Sequence, residues 1–256
     1  DLEAMKKLSI LLLLTFALSS CSVYQARTYV GVMASWTTGE SGLSDASSGN
    51  KPSGADLDEG LGIAGQEGSP YVRAEANVFN LGVTLSAFQH DSSGEGMLDM
   101  EFGEIAKDTP VESDLALSSV KGAVTFDFLD FDLIRLSPGV ALELIDLEMT
   151  VRAPTLSKEE EFSTSVPVPL AFVQAEFDFG PVAATIDLGG MWVDAKEVSG
   201  LFLDVEMLLR VQPWDNIELM AGARWILADL EGVTGGQNYS MDVETLGFFF
   251  GMGVTF

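Results

Sequence analysis

The chain has little from which to build the commoner kinds of functional site. It holds one cysteine, Cys21, and one histidine, His90, in 256 residues. A lone cysteine excludes an internal disulfide, and so few soft ligands leave no zinc pattern. No phosphate loop or nucleotide fingerprint is present, and neither a cofactor nor a metal centre is expected. Positive charge is scarce as well. Lys and Arg number 13 against 39 Asp and Glu, a formal net charge of −26. Such a protein repels nucleic acid and anionic membrane surfaces, and divalent cations or cationic peptides suit it better. Beyond the first twenty residues there is no apolar run long enough for a transmembrane helix.

Against that acidity, 47% of the residues are hydrophobic. The two properties coexist because apolar and polar residues alternate. Ten segments carry a period of two, the spacing of a strand with one apolar and one polar face. They lie at about 27–36, 71–79, 81–90, 113–128, 134–149, 165–179, 182–192, 201–212, 217–227 and 246–256. In the second, Val72, Ala74, Ala76 and Val78 oppose Tyr71, Arg73, Glu75 and Asn77. In the eighth, Leu203, Val205, Met207 and Leu209 oppose Asp204, Glu206 and Arg210. The phase slips beyond Leu144 and again near Phe172, which predicts either a bulge or a strand leaving its apolar surroundings. The connections alternate too. They are tight at Asn80, Asp130–Asp132, Gly180-Pro181 and Pro213–Asn216, and longer and polar in between.

The last segment places Leu246, Phe248, Phe250, Met252, Val254 and Phe256 on one face, separated mostly by glycine and threonine. It resembles the C-terminal strand by which bacterial outer-membrane β-barrel proteins are recognised for assembly. Phe248, Phe250, Val254 and Phe256 are then the assembly signal, read by the barrel assembly machinery. The rest of the chain resembles the same class. Tight turns suit the periplasmic side and long loops the outside. Phe79, Phe128, Phe131, Phe179, Trp214 and Phe256 cluster at the tight turns; Trp36, Tyr71, Trp192, Phe202 and Trp225 lie toward the long loops. Two aromatic girdles are expected where such a barrel meets the headgroups. The resemblance implies an all-β, antiparallel, up-and-down transmembrane barrel over residues 28–256. It has ten strands, or alternatively eight, sits in outer-membrane lipid and keeps both termini periplasmic.

The other end reads as a targeting segment. Met5, Lys6 and Lys7 precede the apolar run Leu8 to Leu18, the shape of an export signal. Asp1–Ala4 look like an upstream extension. Leu18-Ser19-Ser20-Cys21 resembles the lipobox of bacterial lipoproteins, which implies a lipid on Cys21, and Ser22 then implies outer-membrane sorting. Residues 1–20 would be removed and 21–27 would form a lipidated tether. Cleavage elsewhere, for instance after Ala26, is the alternative.

Both signs of charge fall on the inward faces. Arg73, Lys121, Arg135, Arg210 and Arg224 face Glu75, Glu143, Asp187, Asp204, Glu206 and Glu218. In a barrel of eight to ten strands the interior is close to filled by side chains. These groups are expected to pair into a plug, the alternative being a polar pore for small, cation-like solutes. His90, Asp91 and Ser92 are similar to the His-x-Ser pair of outer-membrane lipid A deacylases, with Glu95 or Glu75 to orient the histidine. That implies a lipid-modifying enzyme, on three residues only. The Asp-His motif of outer-membrane aspartyl proteases is not evident. The acidic runs Asp56-Leu57-Asp58-Glu59 and Glu159-Glu160-Glu161 could bind calcium or magnesium, without the spacing of a twelve-residue calcium loop. The leading expectation is a non-enzymatic surface or structural protein of the envelope. A lipocalin-like soluble barrel would need its apolar faces turned inward, against the sense of Phe256 and the girdles.

Overall fold

A computed structural model describes residues 25–45, 54–63, 67–194, 198–234 and 237–256. Residues 1–24, with the signal, Cys21 and most of the tether, lie outside this set. All described regular structure is β. Ten long strands carry the fold: β1 (Gln25–Asp45), β3 (Glu67–Val78), β4 (Leu81–Met97), β5 (Pro110–Phe126), β7 (Ile134–Ala153), β8 (Lys158–Asp178), β9 (Val182–Asp194), β10 (Val198–Trp214), β11 (Ile217–Thr234) and β12 (Gln237–Thr255). Two short strands, β2 (Ala55–Asp56) and β6 (Leu129–Asp130), pair outside this path, on β1 and β7. Each long strand is antiparallel to the next, and β12 returns to β1 from Thr255↔Arg27 to Gln237↔Asp45, which closes the barrel. The ten-strand expectation holds and the eight-strand alternative does not.

Strands and turns follow from local chemistry. Period-two stretches supply the ladders, and the tight turns use residues that reach positive φ, such as Gly180 (φ 85) and Asn216 (φ 66). The strands run further into the long-loop end than their apolar stretches reach. The segment His90–Met97 has the composition of a loop, yet it is a full part of β4. Its Gly94 and Gly96 lie against the backbone of the β1–β3 connection. A Cβ on Gly94 would sit 1.8 Å from the Gly62 carbonyl oxygen, and one on Gly96 2.4 Å from that of Gly60. Only glycine admits the loop so closely.

The barrel changes character along its axis. In the half nearer the tight turns, apolar residues point outward and charged ones inward. Val32, Val124, Val140, Phe250 and Met252 are among the exposed side chains. In the other half the sense is inverted. On β7, Glu143 is the last inward charge, and Ile145, Leu147, Met149 and Val151 then face inward while Asp146 and Glu148 are exposed. The β7–β8 register is unbroken from Ile134↔Phe177 to Ala153↔Lys158. The apparent slips at Leu144 and Phe172 are therefore not bulges. The side-chain phase is constant, and the surroundings change from lipid-like outside to water-like outside. The outward apolar stretch of β7, Ile134 to Leu144, matches the roughly 9–11 residues of a tilted membrane-crossing strand.

The lower aromatic girdle forms as expected, with Phe79, Phe128, Phe131, Phe179, Trp214 and Phe256 all exposed. The upper one is thinner than expected. Trp192 is 81% exposed, and Trp36 and Trp225 are partly so. Tyr71 and Phe202 do not belong to it, because both are fully buried in the lumen. Their inward phase outweighs their aromatic type: Tyr71 shares a face with Arg73, and Phe202 with Asp204.

Candidate functional site

The inward faces of the lower half meet in one ion-pair network. Its centre is Arg73 of β3, which donates to Glu206 of β10 and lies 2.8 Å from Asp187 of β9 and 2.7 Å from Glu75. Lys121 of β5 reaches Asp204 of β10 at 2.6 Å and Glu206 at 3.5 Å. Arg224 of β11 bridges Glu143 of β7 at 2.8 Å and Asp204 at 3.0 Å. Nearer the tight turns, Arg210 joins Glu75 at 3.0 Å to Glu176 of β8 at 2.6 Å. Arg27 of β1 stands 3.5 Å from both of those carboxylates and 3.7 Å from Glu218. Neutral donors complete the set. The Tyr71 hydroxyl donates to Glu206 at 2.6 Å, Tyr29 donates to Glu218, Ser119 to Glu143 at 2.6 Å and Gln174 to Asp187 at 2.9 Å.

These contacts run between facing walls as well as between neighbouring strands. β3 is tied to β9 and β10, β5 to β10, and β7 to β11. Every cation touches at least two carboxylates, so losing one contact leaves it paired. Withdrawing one charge from a buried pair costs roughly 3–5 kcal/mol, because its partner stays desolvated and alone. Arg135 is different: it stands at the turn end, 31% exposed, 3.5 Å from Asp130 and 3.7 Å from Glu176. The eleven charged residues picked out from the sequence all take part in this network or, for Arg135, its turn-end margin. Sequence reading missed Arg27 and Glu176, the first at the very start of β1, before the alternation is established, and the second behind the apparent slip at Phe172.

Aromatic rings cap the network. Arg224 lies 5.0 Å from the Phe88 ring centroid and Lys121 5.8 Å from that of Phe172. Tyr71 and Phe249 stack with centroids 4.2 Å apart. Above this layer the lumen is a chamber with apolar walls and scattered hydroxyls, lined by residues such as Leu117, Ile145, Val166, Phe202, Ile226 and Met241. It holds a void of about 60 Å³. At roughly 24 cal/mol per Å³, a void of that size costs about 1.4 kcal/mol relative to a filled core. Toward the mouth, Leu57, Leu61 and Ile63 of the β1–β3 connection and Leu98, Phe102 and Ile105 of the β4–β5 connection pack onto β5 and β7 in a second apolar cluster. The acidic run at Asp56 is therefore not simply solvated. Leu57 is buried, and the Asp56 carboxylate accepts hydrogen bonds from the backbone N–H of Asp58 and Glu59 at 2.8 Å each. Among the described residues no cluster of three potential ligands could hold a metal ion.

The His-x-Ser pair is not assembled into a catalytic arrangement. His90 is buried with Nδ1 2.9 Å from the Ser35 hydroxyl. Ser92 instead donates to the Ile63 carbonyl at 3.0 Å. Glu95 is exposed on the opposite face of β4, and Glu75 is held in the network.

No protein-family model and no curated protein sequence matches this chain. Solved structures do match its shape. The outer membrane protease OmpT from Escherichia coli superposes with a TM-score of 0.60 at 9% identity, covering 91% of this chain and 96% of that one. Ail, the attachment invasion locus protein of Yersinia pestis, gives 0.38 at 10% identity over 91% and 98%. Neisserial surface protein A gives 0.36 at 13% identity over 90% and 97%. The chain folds as a bacterial outer-membrane β-barrel. At these identities the likeness to OmpT is one of fold alone. The apolar belt is then the lipid-facing surface, and the polar upper wall stands clear of the bilayer.

Proposed function

We propose that this outer-membrane barrel is occluded and serves a structural or surface role, presenting an acidic outer wall rather than conducting solutes. The observation that supports this most directly is the network spanning the lumen from β1 to β11. Its cations and carboxylates neutralise one another and leave few charges free to hydrate a pore. Leu57, Phe102 and their neighbours add an apolar cover toward the mouth. In this reading the tight turns and both termini are periplasmic, and a lipid on Cys21 lies in the inner leaflet beside them. Phe248, Phe250 and Val254, exposed on the lipid face of β12, and Phe256 just beyond its end are what the barrel assembly machinery reads. Asp91, Glu112, Asp146, Glu148, Asp242 and Glu244, exposed above the belt, attract divalent cations or basic partners at the cell surface.

Liposome swelling tests the reading. Vesicles carrying the purified protein should swell no faster in arabinose or lysine than empty vesicles. Swelling that scales with protein would instead favour the small-solute channel, whose acidic mouth would select cations.

A further inference from the structure

The chamber above the plug has carbon-lined walls and an internal void, and one of those walls is incomplete. β8 pairs with β9 only from Ala171↔Gly190 to Asp178↔Ala183. From Lys158 to Leu170 β8 stays bonded along one edge to β7, and on its other edge Pro167–Leu170 form no pairs with Met191–Asp194, the described part of β9 that stands next in register. Pro167 and Pro169 fall within this segment. They carry no N–H, which suits an edge that forms no ladder. The same segment supplies Thr164, Val166 and Val168 to the chamber lining. The unpaired edge is therefore part of the chamber wall.

The height of this seam is informative. It begins at Gly190, two residues from Trp192, whose ring is 81% exposed at the upper edge of the lipid belt. Ala171, Pro169 and Pro167, on the outward face beside it, are exposed and apolar. The seam thus opens where the acyl chains of the outer leaflet meet their headgroups. Along the axis both ways are obstructed, below by the ion-pair network and above by the two inserted connections. The lining carries hydroxyls but no charged side chain, so a polar headgroup finds no partner inside. Leu and Met side chains such as Leu117, Met149 and Met241 can shift to widen a narrow slot.

We propose that the chamber receives the terminal methylenes of one linear alkyl chain, which enters sideways from the outer leaflet through the seam between β8 and β9 with its headgroup outside near Trp192, the void of about 60 Å³ being room for the chain's end alone. This does not depend on whether the barrel conducts. The chain could belong to a membrane lipid or to a free fatty acid, and photolabelling separates these sources. The folded full-length protein in bilayer nanodiscs is irradiated with a phosphatidylethanolamine bearing a diazirine at the end of one acyl chain, and separately with dodecanoic acid bearing a terminal diazirine. The expected result is covalent adducts on inward residues such as Val166, Phe202 or Met241. Labelling by the lipid alone assigns a membrane lipid, and labelling by the acid alone a free fatty acid. Ala228→Trp, which fills the chamber, should abolish inward adducts while leaving those on the outer belt. Replacing both Pro167 and Pro169 with Val restores two N–H donors for pairing and should slow the appearance of inward adducts without changing the final pattern. Adducts confined to outward residues such as Leu144 and Phe248 in the wild type would overturn the proposal. So would inward labelling as strong in Ala228→Trp as in the wild type.

Discussion

Arg224→Ala is the sharpest single perturbation of the plug. The guanidinium touches Glu143 at 2.8 Å and Asp204 at 3.0 Å, and it lies beneath the Phe88 ring. Its removal affects the two carboxylates unequally. Asp204 keeps Lys121 at 2.6 Å, whereas among the described residues Glu143 keeps the Ser119 hydroxyl at 2.6 Å and no cation. Glu143 is fully buried, so the change should cost the roughly 3–5 kcal/mol of an orphaned buried charge rather than the 0–1 kcal/mol of a surface pair. Urea unfolding in lipid vesicles, followed by tryptophan fluorescence, reads this loss. Glu143→Gln in the same background should recover a good part of it, because the uncompensated charge is gone. The double-mutant cycle between the two positions should give a coupling within the roughly 0.5–3 kcal/mol seen for residues in one network. A loss below about 1 kcal/mol with no coupling would mean that water solvates these groups, and the reasoning for a dry, cross-linked plug would fail.

Other outcomes follow from the same frame. Val140→Arg, on the lipid face of β7 near the middle of the belt, should destabilise the barrel by about 2–4 kcal/mol in vesicles, while a similar change at Asp146 above the belt should be nearly silent in the same unfolding assay. Gly253→Val should impair folding. A Cβ there would lie 2.3 Å from the Tyr29 ring, and overpacking of this kind costs about 1–3 kcal/mol; a folded yield equal to wild type on a heat-modifiable gel would contradict it. Mass spectrometry of the mature protein should find Cys21 as the acylated N-terminal residue, and an unmodified Cys21 or an N-terminus after Ala26 would remove the lipid tether.

Much of the barrel is legible in the chain because a lipid-facing strand declares itself: apolar and polar residues alternate and the phase names the face. Arg73, Glu206, Arg210 and Arg224 could be placed in the lumen on parity alone. The upper half hid for the same reason. There the polarity of the two faces is exchanged, so Ile145 and Val166 look like a slip when they are in constant phase. The glycine and serine stretch after His90 hid for another. It reads as a loop, yet its glycines are what allow the β1–β3 connection to lie against β4. The pairing partners were not readable, since a contact such as Lys121 to Asp204 crosses the lumen and depends on shear and tilt rather than on spacing. The inward apolar faces expected only of a lipocalin-like alternative do occur, but confined to the half that stands above the membrane.

The most direct test of an occluded barrel is single-channel recording of the purified wild-type protein in planar bilayers at moderate salt. The network predicts silence, or at most brief, small, cation-preferring events, with larger openings appearing in Arg210→Ala, where Glu75 and Glu176 lose the nearer of the two cations they share and keep Arg27 at 3.5 Å. Large, steady, anion-selective currents from the wild type would contradict the account and make transport the function to explain.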